Sequence, residues 1–382
     1  MKVEEVRSYL LSAPLTECFF ISQPGTITCR STVVVEVRTD EGISGFGESL
    51  CHGLQPPQIA KATIDTVLRD MLLGHEVADV AVFHEYASNR LRDYGRQGAT
   101  IGALSAIDIA LWDALGQAAG RPVYELLGGA FRRQVRPYAT GFYRTGTATA
   151  EDLVAEARRH RDDGFTAMKV KIGFGVADDL AALRAIREAV GPEITLMADA
   201  NHAYNASIAR RLLHGCDELG IHWLEEPITP EDIDGYAELR GLGTDVLIAA
   251  GEGECGAVGF WPWARVRALD VFQPDIAATG GFTAMRQISA IAQAAGILVN
   301  PHVWGTAIGL AASLQAIAAL PPNPPSRGQA EPLLEYDSSA HPFRQELVAE
   351  QIAVRDGVVD IPGRPGIGVQ VNREFLKRHA LG

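Results

Sequence analysis

The chain is 382 residues long, 47% hydrophobic and 21% charged, with a formal net charge of −13 at pH 7. That length suits a large α/β barrel plus a smaller second unit. The acidic balance argues against nucleic acid or an anionic membrane as partner, since both need a basic face, and no apolar run reads as a membrane span.

The opening "MKVEEVRSYLLSAPL" mixes charges into its apolar positions, so no secretory leader is expected and the chain is placed in the cytoplasm. Next, "STVVVEVRTDEGISGFGE" alternates apolar and polar residues around a turn at 40–42, which predicts an antiparallel hairpin. "IGALSAIDIALWDALGQAAG" predicts a strongly apolar helix with a glycine stop. Residues 1–125 are thus expected to form an α+β module. The five cysteines, Cys18, Cys29, Cys51, Cys216 and Cys255, are odd in number and scattered, as expected of free thiols.

Beyond residue 130 the pattern changes. Short apolar or β-branched runs, "VRPYAT", "AMKVKI", "TLMADA", "HWLEEP", "VLIAAGE", "DVFQPD", "ILVNPH" and "LLEYD", begin 24 to 36 residues apart, the size of one βα unit. Alanine-rich helical patterns such as "DDLAALRAIREAVGP" separate them. Eight such starts predict a barrel over 126–345. A doubly wound sheet is the alternative, but it would open with a glycine-rich phosphate loop, and none follows "VRPYAT". The glycine- and proline-rich "PGRPGIGVQVNREFL" is expected to bring 346–382 back onto the N-terminal module.

In a parallel barrel the active groups gather at the C-terminal mouth. The run ends carry Lys169 and Lys171, Asp199 and Asn201, Glu225 and Glu226, Glu252, Asp275, His302 and Glu335. Asp199, Glu225 and Glu252 end three consecutive strands, so their carboxylates should converge. Like charges so close call for a cation, and an all-oxygen donor set suits Mg2+ better than zinc. Lys169 and Lys171, two apart on one strand, share a face and project toward that trio. A nearby divalent cation would lower a lysine's pKa and free the amine as a base. On the other side, Asp275 would orient His302 as a second acid or base. Two bases flanking a magnesium ion suit removal of the proton next to a carboxylate, giving an enediolate.

These residues resemble the mandelate racemase and muconate lactonising branch of the enolase superfamily. "KVK", "DAN", "EEP", "GE", "QPD" and "PHVWG" stand in that family's order and near its spacing, and the likeness runs from the hairpin to "PGIGVQVN". The resemblance implies an α/β fold, a modified TIM barrel, (β/α)7β, under an α+β capping domain formed by both chain ends. It implies Asp199, Glu225 and Glu252 as metal ligands, Lys171 as one base and Lys169 as its tuning or substrate-carboxylate partner. His302 with Asp275 would be the group on the opposite face, as in the mandelate-racemase-like subgroup. Glu335 resembles the electrophilic acid, with Glu331 a nearby competitor, and Asn201 and Glu226 look like supporting residues. Within the family the chain looks most similar to galactarolactone cycloisomerases and relatives that act on anhydro-sugar acids.

The implied substrate is therefore a small sugar acid or its lactone, and the implied reaction α-proton abstraction followed by β-elimination to a 3-deoxy-2-keto acid. An aldonate or aldarate dehydratase, or a racemase or epimerase of a 2-hydroxy acid, would use the same machinery; a non-catalytic barrel would be expected to have lost a base or a ligand. Cap loops 16–30 and 48–54 would select the substrate. Arg30 is the evident cation in the first, and His52 and Arg144 are candidate contacts. The resemblance also implies a homo-oligomer.

Overall fold

Three strands, Val3–Phe19, Ile27–Thr39 and Ser44–Leu50, form an antiparallel sheet in a computed structural model that describes residues 1–51, 53–146, 149–323 and 331–381. The expected hairpin turn is closed by Gly42 N–H donating to the Thr39 carbonyl at 3.0 Å, with Gly42 at φ +82°, a value that favours glycine. The helix Ala99–Ala119 lies directly on the third strand. At Gly47 a Cβ would come within 1.9 Å of the Ala106 carbonyl oxygen, so only glycine lets helix and strand approach this closely.

That helix corrects one expectation. At 21 residues and mean hydropathy 1.3 it is long and apolar enough to cross a membrane. Its apolar surface is, however, spent inside the protein: 89% of the apolar window is buried. Residues such as Leu104, Ile107 and Leu111 pack into the same core as Val33 and Val35 of the sheet.

The second layer is an eight-stranded, all-parallel sheet that curls into a barrel. Its strands are, in chain order, Pro137–Thr140, Ala167–Lys171, Thr195–Asp199, Ile221–Glu225, Leu247–Ala250, Val271–Phe272, Leu298–Val299 and Leu334–Asp337. Every one falls on a run anticipated from the sequence. The eighth pairs with the first, Glu335 opposite Tyr138, and the others pair in sequence order. Among the described residues no ladder joins strands seven and eight. There, Leu333 N–H donates to the Asn300 side chain at 2.7 Å.

Alternation along the strands places the functional layer. Ala167, Met197, Trp223 and Leu333 belong to one small buried cluster within the barrel. Two residues further along each strand, on the same face, stand Lys169, Asp199, Glu225 and Glu335. The apolar layer is thus a floor, and the charged groups stand on it toward the mouth. The C-terminus meets the cap sheet, with Leu381 opposite Leu10 in an antiparallel pair, and Ile367 N–H donates to Asp113 of the long helix at 2.9 Å. All five cysteines are free.

Candidate active site

Asp199, Glu225 and Glu252 converge as anticipated, with one oxygen of each within 4.8 Å of the others. The lysines meet them from strand two. Lys171 Nζ lies 2.5 Å from Asp199 Oδ2 and donates to Asn201 Oδ1 at 3.0 Å. Lys169 Nζ lies 2.5 Å from Glu225 Oε1, 2.8 Å from Glu335 Oε1 and 3.6 Å from Asp199 Oδ2. Glu225 is further held by Trp223 Nε1 and Gln273 Nε2, at 3.1 and 2.6 Å.

The protein's own carboxylates act on the lysines in the opposite sense to the divalent cation expected between them. Burial does disfavour the ammonium of Lys171, but Asp199 outweighs it and holds the group above the usual lysine value. For Lys169, burial is likewise overcome by Glu225 and Glu335. With carboxylates alone around them, both lysines keep their protons. Glu225 moves oppositely: burial, aided by Asp199 and Glu335 against the pull of Lys169, raises its carboxyl to about 8. A site that resists accumulating negative charge in this way is one that a divalent cation would complete.

Across the mouth, His302 Nδ1 lies 2.7 Å from Asp275 Oδ2, while Asp275 Oδ1 accepts from Ala277 N–H at 2.7 Å. The ring's Nε2 is 3.4 Å from Glu252 and 3.9 Å from Glu335. Burial works against the imidazolium, yet Glu252, Glu335 and Asp275 lift it to about 10. Glu335 is fixed by Thr140 Oγ1 at 2.7 Å and Val303 N–H at 2.9 Å; burial would raise its pKa, but Lys169 and His302 bring it down to about 2. Its competitor Glu331 instead pairs with Arg132 at 2.7 Å, on a different cavity.

These groups open onto a cavity of about 390 Å³ roofed by the cap. Lys171, Asn201, Glu252 and His302 line it, as do Ile21, Gln23 and Ile27 of the first cap loop and Leu50, Gly53 and Leu54 of the second. Other candidates fall elsewhere. Arg144 is outside this lining; its guanidinium stacks over Phe174 at 4.9 Å, and its backbone pairs with Phe20. Arg30 is buried and bound to Asp337 at 2.9 Å, with Trp304 stacked on it at 4.1 Å. His52 lies outside the described residues. Glu226 is buried, and its Oε2 lies 2.6 Å from Nε2 of His202, a cavity-lining residue that the sequence reading passed over. The signal available was the imidazole immediately after "DAN".

The donor chemistry fits magnesium: three carboxylates from adjacent strands, no soft ligand among them, and room beside them for a substrate's oxygens. Fold and site together define a barrel enzyme of the lyase or isomerase class with a lid-like cap. The chain belongs to the mandelate racemase and muconate lactonizing enzyme family of the enolase superfamily. Residues 12–128 match the "Mandelate racemase / muconate lactonizing enzyme, N-terminal domain" and residues 152–375 the "Enolase C-terminal domain-like" family model. It is similar to D-galactarolactone cycloisomerase of Agrobacterium fabrum, at 40% identity over 98% of each chain. Among solved structures it resembles the 3,6-anhydro-D-galactonate cycloisomerase of Zobellia galactanivorans, at 34% identity, TM-score 0.89 and full coverage of both chains. It also resembles a racemase of Streptomyces coelicolor with bound magnesium, at 30% identity, TM-score 0.88, covering 99% of this chain and 100% of the other.

Proposed function

We propose that this protein is a Mg2+-dependent cycloisomerase that opens the ring of a sugar-acid lactone or anhydro-sugar acid to a linear 3-deoxy-2-keto acid. The observation that carries the reading is the pairing of Lys171 and His302, each braced by its own aspartate, on one cavity beside three converging carboxylates. The cap comprises 1–125 with 346–382, the barrel 126–345.

Asp199, Glu225 and Glu252 would hold the metal. When bound, magnesium supplies the positive charge that offsets the enediolate oxygens and draws the carboxylates' charge away from the bases. Lys169, ion-paired with Glu335 at 2.8 Å, brings its ammonium to the substrate carboxylate at the end of the site where Glu335 also stands. Lys171 and His302 serve opposite faces of the α-carbon, and the configuration of the substrate decides which one takes the proton. Asp275 accepts the Nδ1 proton of His302, so Nε2 faces the substrate. Asn201 orients Lys171 through its 3.0 Å contact.

The test is a panel of sugar acids, lactones and anhydro-sugar acids in deuterated water with magnesium, reading α-deuterium incorporation and 2-keto product. Keto acid from cyclic substrates but not from open acids is the expected outcome. Product from open acids only would make the enzyme a dehydratase, and exchange without product would make it a racemase.

A further inference from the structure

Building on that elimination, we propose that His202, braced by Glu226, is a further catalytic residue: the imidazole that receives the ring oxygen as it leaves the β-carbon. Three non-glycine residues here adopt the left-handed region, Asn201 at φ +42°, His202 at +65° and Glu226 at +41°. Such conformations are disfavoured and persist only where surrounding structure imposes them. The loops after strands three and four impose them on each other, since His202 N–H donates to the Glu226 carbonyl at 2.8 Å and Tyr204 N–H to that of Pro227 at 3.1 Å. The result is to set the His202 ring against the Glu226 carboxylate, 2.6 Å away, with Glu226 buried and His202 27% exposed on the cavity.

Depth assigns the partner. Lys169, Asp199 and Glu225 are fully buried, so the substrate carboxylate sits low and the remaining carbons extend toward the cap. His202, more exposed than these groups, lines the same cavity and is open to that part of a substrate. Lys171 and His302 are committed to the α-carbon, which leaves the departing oxygen without a partner from either. With Nε2 beside Glu226, Nδ1 is the nitrogen left for a ligand. The Glu226 carboxylate, 2.6 Å from Nε2, favours the cationic form of the ring against the opposing effect of burial.

In the step itself the α-proton passes to Lys171 or His302. The enediolate's electron pair forms the α–β double bond, the β-carbon–oxygen bond breaks, and its pair stays on the ring oxygen. From an anhydro-sugar acid that oxygen takes the His202 proton and becomes a hydroxyl; from a lactone it departs as a carboxylate paired with the imidazolium. The enol then takes a proton at the β-carbon to give the 2-keto acid, and water at the mouth reprotonates His202 where it gave its proton up.

His202→Asn tests this, because asparagine tolerates positive φ, and Glu226→Gln is a second variant that leaves the ring in place. In deuterated water with magnesium, α-deuterium incorporation and keto acid are read from the same samples, with circular dichroism confirming the fold. For cyclic substrates the ratio of exchange to keto acid should rise roughly 100-fold in His202→Asn and shift the same way in Glu226→Gln. An unchanged ratio in folded variants, or equal loss of both signals, overturns the role of His202 and leaves the elimination standing. Wild-type enzyme that gives neither exchange nor keto acid from any cyclic substrate overturns both.

Discussion

The carboxylate of Glu48, in the cap, accepts from the Thr306 hydroxyl at 2.6 Å and from the Thr306 backbone N–H at 2.9 Å, in the barrel. Thr32 Oγ1 and Gly309 N–H complete the cradle at 2.9 and 2.8 Å. Thr306 caps the helix Ala307–Ala319 and stands four residues after His302, so Glu48 ties the cap loop to the segment that carries a base. The carboxylate also sits where the first turn of that helix offers unpaired N–H groups.

Glu48→Gln should therefore destabilise the protein. Both carboxylate oxygens face backbone N–H donors, so either orientation of the amide sets its NH2 against one of them. Loss of one buried hydrogen bond with an unsatisfied donor costs about 1–3 kcal/mol. The urea midpoint should fall accordingly with little change in slope, and turnover should drop because the 302–306 segment loses its anchor. An unchanged midpoint would refute the clamp.

Lys171→Ala and His302→Asn should each lower turnover by about 10²–10⁴-fold, the usual contribution of a positioned acid or base, while circular dichroism stays native. Burial makes the controls necessary, since Lys171→Ala leaves Asp199 without its 2.5 Å partner. Near-normal rates from both variants on the true substrate would eliminate the two-base reading.

Much of this was legible in the sequence because barrel geometry ties chemistry to strand ends. Period-two alternation fixes Lys169 and Lys171 to one face, and three consecutive acidic ends converge wherever the strands are neighbours and parallel. What escaped depends on contacts between distant segments or on backbone torsion. The Glu48–Thr306 contact spans 258 residues, and no local pattern announces it. His202 reaches Glu226 only because both adopt left-handed torsions. Arg30 looked like a substrate cation, but Asp337, 307 positions away, claims it.

Chelation followed by magnesium addition gives a third prediction. Dialysis against EDTA should abolish activity and magnesium should restore it. Because the ion would bind the folded state, magnesium at about 100 times its dissociation constant should add roughly 2.7 kcal/mol of stability, read as a rise in melting temperature. Glu225→Gln should remove most of that rise. Full activity in rigorously metal-free protein would exclude the carboxylate trio as a metal site.

A fourth prediction concerns pH and two acids of the long helix, Asp108 and Asp113. Burial pushes both carboxyls up to about 6; the hydrogen bonds from Ile367 and Phe46 to Asp113 only partly offset it, as do His84 and Thr283 at Asp108. A carboxyl whose folded value exceeds its unfolded one binds more protons in the folded state across the window between them, here from about 4 to about 6. Stability should therefore decline as pH rises through that window, by up to about 1.4 kcal/mol per pH unit for each group fully in transition. The groups held low, such as Asp337 at about 2, act with opposite sign below pH 4, so the two effects separate. Urea midpoints measured from pH 4 to 6.5 should fall, with Glu225 and Glu254, whose carboxyls burial raises to about 8 and about 7, acting in the same sense, and Asp113→Asn should flatten the slope by removing one of the titrating groups. A rising midpoint across that range would show that these carboxyls stay ionised in the folded protein.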